Sequence, residues 1–179
     1  MVSAVSRFVS TLVDICLLRA GPQDLPYSPN LLVLSLLAYT ALGTKTASLG
    51  LPQVNPYIFS VINLLSLLFF AWFVLSLKGY YSRFNQTVIA LFGTEVILGL
   101  LAWVLLAWQL QATDSGRESL LASVLYLALI LWSLAINANI VRHALSITMA
   151  WAWGVSLAYF FIYMAIIRLI TVGIAQGNS

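Results

Sequence analysis

Residues 87–110 read Thr-Val-Ile-Ala-Leu-Phe-Gly-Thr-Glu-Val-Ile-Leu-Gly-Leu-Leu-Ala-Trp-Val-Leu-Leu-Ala-Trp-Gln-Leu, with one charged side chain, Glu95. A helix needs about 20 mostly apolar residues to cross a hydrocarbon layer about 30 Å thick. This stretch is long enough and apolar enough to do so. It therefore predicts a membrane-spanning helix that carries a carboxyl group inside the span.

The composition of the whole chain extends this prediction. Of 179 residues, 62% are hydrophobic and 7% are charged, whereas soluble domains carry about 25% charged residues. This small number of charges cannot cover a surface that faces water. Lipid must therefore be the main solvent. Five spanning helices use about 100 residues. We therefore expect an all-α integral membrane protein without a second folded domain.

Breaks in the apolar pattern divide the chain into five predicted spans. Proline and glycine end apolar runs at Pro52, Pro56 and Gly79, and polar residues do so at 113–118 and at Arg142. The predicted spans are residues 30–50, 57–78, 87–110, 119–141 and 147–170. Residues 30–179 would thus form a bundle of about five transmembrane helices.

Residues 1–29 predict an N-terminal amphipathic helix and a proline-rich connector. Apolar side chains recur at helical spacing from Val5 to Leu17, but Arg7 and Asp14 interrupt them, which is not typical of a signal peptide. The helix either lies at the membrane interface or packs against other protein. Three prolines in residues 21–29 predict that the connector is not helical.

The basic residues indicate topology rather than nucleic-acid binding. The net charge is +3, but the basic side chains are scattered singly and form no stripe. If the N-terminus lies in the cytoplasm, five of them are cytoplasmic and three lie on the opposite side. Because cytoplasmic loops carry an excess of Lys and Arg, this count favours a cytoplasmic N-terminus and a C-terminus on the opposite side. The cytoplasmic set is Arg7, Arg19, Lys78, Arg83 and Arg142, and the opposite set is Lys45, Arg117 and Arg168.

Glu95 is the main candidate functional residue, because an ionisable group at membrane depth is costly and usually faces protein or water. Gly99 and Ala102 follow on the same helix face and would let another helix approach closely. A Glu95–Arg142 ion pair or a Glu95–Asn137 hydrogen bond is geometrically reasonable. The predicted intramembrane polar cluster is Glu95, Asn137, Asn139, Arg142 and His143.

Two interpretations of this cluster remain open. Polar side chains between helices commonly hold the helices together, and that is the favoured interpretation. The alternative is a proton-sensitive switch or relay that uses Glu95 and His143. Arg168 near the end of the last span either extends its charge to the interface or contacts a lipid headgroup.

The sequence predicts neither a cofactor nor an enzymatic activity. His143 is the single histidine and Cys16 the single cysteine, so neither a metal cluster nor a haem bound by two histidines is expected. No Gly-x-Ser-x-Gly elbow, phosphate-binding glycine loop or paired acidic motif is present.

Three stretches resemble the bacterial branch of the Yip-like family of five-span membrane proteins. They are Arg19-Ala20-Gly21-Pro22-Gln23-Asp24-Leu25-Pro26, the run from Arg83 to Leu101 with its Gly93-Thr94-Glu95, and Val141-Arg142-His143-Ala144-Leu145. The resemblance implies a bacterial inner membrane and assigns no residue a role. Eukaryotic relatives act in membrane traffic and bind small GTPases and one another, but this chain has no long acidic N-terminal region of their kind.

The leading functional expectation is a non-enzymatic accessory or scaffold protein. It would act by helix–helix contact with itself or as a subunit of a larger membrane complex, with lipid as its other partner and no nucleic acid. One alternative is a small transporter or proton-linked channel centred on Glu95. A further alternative is a subunit that binds lipid or quinone.

Overall fold

A computed structural model describes residues 2–51, 53–114 and 120–177 of the chain. Among these residues there is no strand, and there are six α-helices, of which five are long and apolar enough to cross a membrane. The protein is thus an all-α integral membrane protein, as predicted. The helices are α1 (Val2–Cys16), α2 (Pro29–Gly50), α3 (Pro56–Ser76), α4 (Phe84–Asp114), α5 (Leu120–Leu145) and α6 (Met149–Gly177).

The helices extend beyond several predicted span ends. Helix α4 begins at Phe84, earlier than residue 87, and α5 ends at Leu145, later than residue 141. The predicted loop before α4 contains a short 3₁₀ helix, Tyr81–Arg83. Pro52, much of the polar loop at 113–118 including Arg117, and the predicted start of the fourth span at residue 119 lie outside the described residues.

Polar caps fix where two spanning helices begin. The Ser28 side chain accepts a hydrogen bond from the Leu31 amide at 3.4 Å, and Asn55 Oδ1 accepts one from the Tyr57 amide at 3.0 Å. A proline follows each cap, where its missing N–H leaves no helical hydrogen bond unmade. At the end of α3, Gly79 takes a φ of 70°, which favours glycine.

The connector differs from the prediction that it contains no helix. A 3₁₀ helix spans Pro22–Asp24, and the Gly21 amide donates to Asp24 Oδ2 at 2.8 Å. Proline is tolerated here because it stands at the first helical position, where no intrahelical N–H bond is required. Leu25 then turns inward and is 2% exposed. The prolines therefore shape a compact turn that packs against the bundle.

Helix α4 is the centre of the bundle. It contacts α1, α2, α3 and α5, while α6 packs along α5. A ring contact also joins α3 to α6, since Phe70 stacks on Tyr159 with centroids 4.2 Å apart. The central position of α4 places Glu95 among several helices.

Helix α1 packs on α4 and α5 through one of its faces. Leu12, Ile15 and Cys16 are buried there, and Leu12 lies directly against Gly93. A second apolar row, with members four residues apart, remains exposed and consists of Val5, Val9, Val13 and Leu17. The observed packing is one of the two alternatives for this segment. Its position at a membrane interface stays a prediction.

Candidate functional site

Glu95 is bound by two polar side chains of α5. Ser133 Oγ donates to Glu95 Oε1 at 3.1 Å, and Asn137 Nδ2 donates to the same oxygen at 3.2 Å. Ser133 and Asn137 are four residues apart, so they share one face of the helix. The Glu95–Asn137 hydrogen bond was one of the two predicted pairings, and it is present.

The predicted cluster divides between two faces of α5. Asn139 follows Asn137 by two residues, which is about 200° around a helix. Its Nδ2 donates to the Ala20 carbonyl at 3.0 Å, and His143 Nδ1 lies 3.5 Å from Gln23 Nε2. The structure therefore directs Asn139 and His143 toward the N-terminal segment and not toward Glu95.

The alternative pairing, an ion pair between Glu95 and Arg142, is not formed. Arg142 is exposed and lies about 140° around α5 from Asn137, on a different face of the helix. Among the described residues the partners of Glu95 are the neutral side chains of Ser133 and Asn137. The cluster around Glu95 is therefore polar but has no positive charge.

Arg83 has a structural role that the sequence analysis did not assign. Its Nη1 donates to the Ala144 carbonyl at 2.9 Å and to Ser146 Oγ at 2.8 Å, and its guanidinium lies over the Tyr80 ring at 4.5 Å. These contacts place a cation at the carbonyl end of α5, where the helix dipole favours it. A cavity of about 300 Å³ adjoins this contact, and Gln23 and His143 are among its lining residues.

Two larger cavities meet at Glu95. One, of about 310 Å³, extends between α5 and α6, and the other, of about 470 Å³, extends along α2 and α4 to Gln109. Both volumes fall within the range of small-molecule sites, roughly 300–1,000 Å³. The residues that line both are Tyr39, Glu95, Gly99, Tyr126 and Tyr163.

Three buried polar atoms of the lining residues have no hydrogen-bond partner in the described part of the chain. They are Asn63 Oδ1, Asn137 Oδ1 and Ser156 Oγ. Asn63 lines the larger cavity, and the other two residues line the smaller one. Buried polar atoms are normally hydrogen-bonded, and leaving one unpaired costs about 1–3 kcal/mol. These atoms thus mark the cavities as places where a hydrogen-bonding molecule would be stabilised.

The sequence contained only part of the information about this site. Glu95 was predicted because ionisable residues are rare in spans, and Asn137 because it stands in the polar end of the fourth predicted span. The tyrosines at 39, 126, 159 and 163 look like ordinary packing residues in a sequence, and Ser133, Asn63 and Ser156 are inconspicuous because hydroxyl and amide groups also bond within helices. The helical spacing of Ser133 and Asn137 was the one feature that could have shown a shared face.

Cys16 lies at the edge of this region, at the end of α1. Its carbonyl accepts a hydrogen bond from Trp132 Nε1 at 3.0 Å. Burial, and secondly the nearby Glu95 carboxylate, raise the pKa of the Cys16 thiol to about 11. The thiol therefore stays protonated at neutral pH and is a poor nucleophile.

Other candidate chemistry is not assembled near Glu95. Arg168 lies on the exposed side of α6 and does not line either cavity. Within the described ranges, no group of three or more His, Cys, Asp or Glu side chains could hold a metal ion. Glu95 is therefore the one acidic group of this site, surrounded by hydroxyl, amide and aromatic groups.

Comparison with known proteins adds no relative from which a role could be taken. No family model matches the chain, and no curated protein or solved structure matches it either.

Proposed function

We propose that this protein is a small, non-enzymatic membrane transporter whose solute binds at Glu95, with proton-linked movement of that solute. The observation that carries the proposal is the position of Glu95 on the lining of both large cavities. An acidic group at membrane depth commonly belongs to a solute or proton pathway. Its position at a junction of cavities supports this use over a purely structural one.

The larger cavity supports access from one end of the bundle. It extends from Glu95 to Gln109, about 21 Å along α4 at 1.5 Å per residue. In the opposite direction, residues 87–94 are all buried. A tightly packed layer on one side and a cavity on the other favour a carrier, which opens to one side at a time, over a continuously open channel.

Proteoliposomes carrying a pH-sensitive dye would test the proposal. Inorganic cations, amines and organic acids would be added one at a time under an imposed proton gradient, and proton movement would be recorded. We expect solute-dependent proton movement with the wild-type protein and none with Glu95→Gln. Asp24→Asn is the matched control, because Asp24 is exposed in the connector and lines neither cavity.

Two outcomes would contradict transport. The first is the absence of flux for every class of solute with a protein shown to be folded by its size-exclusion profile. The second is flux that is equal in the wild-type protein and in Glu95→Gln, since the carboxylate would then be dispensable.

The second candidate function is that of an accessory subunit or scaffold, and the packing of α6 supports it. This helix packs along α5, and few residues of its apolar stretch Met149–Ile170 are buried. Its exposed apolar side chains are available to pack against another spanning helix. Extraction in mild detergent and size analysis would test this function: a defined complex supports it, and an isolated chain of 19.7 kDa argues against it.

The membrane and orientation belong to the same proposal. The excess of basic residues on one side and the resemblance to the Yip-like family support a bacterial inner membrane with a cytoplasmic N-terminus and the C-terminus on the opposite side. An alkaline phosphatase fused after α6 would be active if the C-terminus is outside. If the phosphatase fusion is inactive and a cytoplasmic reporter fused at the same place is active, the C-terminus lies in the cytoplasm and the proposed orientation is wrong.

A further inference from the structure

The lining of the two cavities that meet at Glu95 has an unbalanced charge. Glu95 is its one carboxyl group, and none of its described residues is Lys, Arg or His. An ionised carboxylate away from water is strongly destabilised unless a positive charge accompanies it. In this chain the hydrogen bonds from Ser133 and Asn137 stabilise the carboxylate but do not neutralise it. The site therefore has no positive charge of its own beside Glu95, and a cationic ligand could supply one.

The unpaired atoms near Glu95 indicate the second property of such a ligand. Asn137 donates its Nδ2 to the carboxylate, which fixes the amide orientation and leaves Oδ1 as an acceptor without a partner. Asn63 Oδ1 is a second unpaired acceptor on a side chain that is 7% exposed. Ser156 Oγ can donate or accept. Acceptors dominate this set, so the matching ligand is a hydrogen-bond donor.

Aromatic rings supply the third property. Tyr39, Tyr126 and Tyr163 line both cavities, and Tyr159 and Phe160 line the smaller one. The face of an aromatic ring attracts a cation within about 6 Å, and more strongly where water is excluded. The same rings provide an apolar surface for the body of an organic molecule.

The volumes argue against a bare metal ion as the ligand. A metal ion requires several oxygen ligands within about 2.0–2.6 Å of a single point. The cavities measure about 310 and 470 Å³, and most of their lining residues are apolar or aromatic. An organic ion fills such a space better than an inorganic one.

We propose that the cavities at Glu95 bind an organic ammonium ion, meaning an amine with N–H donors on an apolar or aromatic body. Its charge would pair with the Glu95 carboxylate, and its N–H groups would reach the unpaired oxygens of Asn63 and Asn137. Its apolar body would lie among the tyrosines. The inference names the solute class of the proposed transporter and rests on that function only for its transport aspect.

A matched pair of probes tests the inference on purified protein in nanodiscs. 1-Naphthylmethylammonium and 1-naphthylmethanol have nearly the same shape, but only the first is charged. We expect the wild-type protein to bind the ammonium probe at least about tenfold more tightly than the alcohol, as measured by calorimetry, since a charge pair out of water contributes more than 1.4 kcal/mol. Glu95→Gln should bind both probes with nearly equal affinity.

Variants of Tyr163 separate the aromatic contribution from the charge. Tyr163→Leu should weaken binding of the ammonium probe by roughly fivefold and change binding of the alcohol less, because the ring attracts the cation. Tyr163→Phe keeps the ring and should retain the wild-type affinity. Asp24→Asn leaves the residues that line the cavities intact and should not change the affinity for either probe.

Three results would overturn the inference. Equal binding of the two probes by the wild-type protein would do so, and this result does not require any variant to fold. An unchanged preference in folded Glu95→Gln would remove the carboxylate from recognition. Binding of sodium alone, lost in Glu95→Gln and without binding of the ammonium probe, would assign the site to an inorganic cation.

The binding experiment and the flux experiment can fail independently of each other. A preference for the ammonium probe without flux in proteoliposomes would leave a binding site and remove transport. Flux that requires Glu95 but no ammonium binding would leave transport and remove the substrate class.

Discussion

Two parts of α4 are both mostly apolar in sequence but differ in packing. Residues 87–94 are all buried, and Val88, Ile89, Leu91 and Phe92 are 0% exposed. Between residues 95 and 113, only Leu98 is buried. Glu95 lies at the boundary between these two parts, which we term the packed half (residues 87–94) and the cavity half (residues 95–113).

The N-terminal segment accounts for much of this difference. Helix α1 packs on α4 with Leu12 against Gly93, and the connector adds Leu25, whose carbonyl accepts from Gln86 Nε2 at 2.6 Å. No comparable segment covers the cavity half within the described residues. A short N-terminal segment thus closes one end of the helix bundle and leaves the polar site open toward the other end.

Truncating a leucine in each half should give the largest difference between them. Leu91 is fully buried, whereas Leu106 already adjoins the larger cavity. Leu91→Ala should lower the free energy of unfolding by about 2 kcal/mol, at the low end for such truncations because lipid is as apolar as the core. Leu106→Ala should lower it by less than about 1 kcal/mol.

Unfolding in mixed detergent micelles with increasing sodium dodecyl sulfate measures both leucine variants under the same conditions. Equal losses of stability would show that the two halves of α4 are packed alike and would contradict the difference in packing between them.

A matched pair of glycines sharpens the comparison with a smaller effect. A Cβ at Gly93 would lie 2.8 and 2.9 Å from the two methyl groups of Leu12, and one at Gly99 would lie 2.8 Å from a single methyl group of Leu42. Leu12 is 5% exposed and cannot move away easily, while Leu42 adjoins the larger cavity and can. Gly93→Ala should therefore destabilise by about 1–2 kcal/mol and Gly99→Ala by clearly less.

The glycine variants can be ranked by their midpoints of thermal unfolding in one detergent. A Gly99→Ala midpoint at or below that of Gly93→Ala would contradict the tighter packing assigned to the packed half.

The smallest expected effect concerns the attachment of α1. Trp132→Phe removes the indole N–H that binds the Cys16 carbonyl, and hydrogen bonds in membrane proteins contribute about 0.6 kcal/mol on average. Cys16 is the single cysteine of the chain, so maleimide labelling reports this position alone. Labelling should be slow in the wild-type protein, because the thiol is buried and its pKa is raised to about 11, and a few-fold faster in Trp132→Phe.

Trp151→Phe is the control for this experiment, since Trp151 is 73% exposed on α6. Equal labelling rates in Trp132→Phe and the wild-type protein would show that this hydrogen bond does not hold α1 in place.

The predictability of the site follows from helix geometry. Glu95 was found because a carboxyl group inside an apolar run is conspicuous, and Asn137 because it stands in the polar end of the fourth predicted span. Asn139, Arg142 and His143 were placed with them because they are close along the chain. The period of 3.6 residues instead turns Asn139 about 200° away from Asn137, toward the Ala20 carbonyl. Closeness in sequence was a poor guide to closeness in space.

The sequence by itself determined that lipid surrounds the protein, that the fold is all-α and approximately where the spans lie. Each spanning helix satisfies its own backbone hydrogen bonds, so an apolar run of sufficient length specifies it locally. The position of the carboxyl group at residue 95 followed from the same pattern.

Only the tertiary structure decided which part of α4 is packed and what surrounds Glu95. Helices in lipid associate through shape and a few polar contacts, and an apolar sequence does not encode which faces meet. The fold-back of α1, the Ser133–Asn137 face and the rings from α2, α5 and α6 around one carboxylate all depend on contacts between distant residues. The site therefore arises from the arrangement of the helices, whereas the helices arise from the sequence.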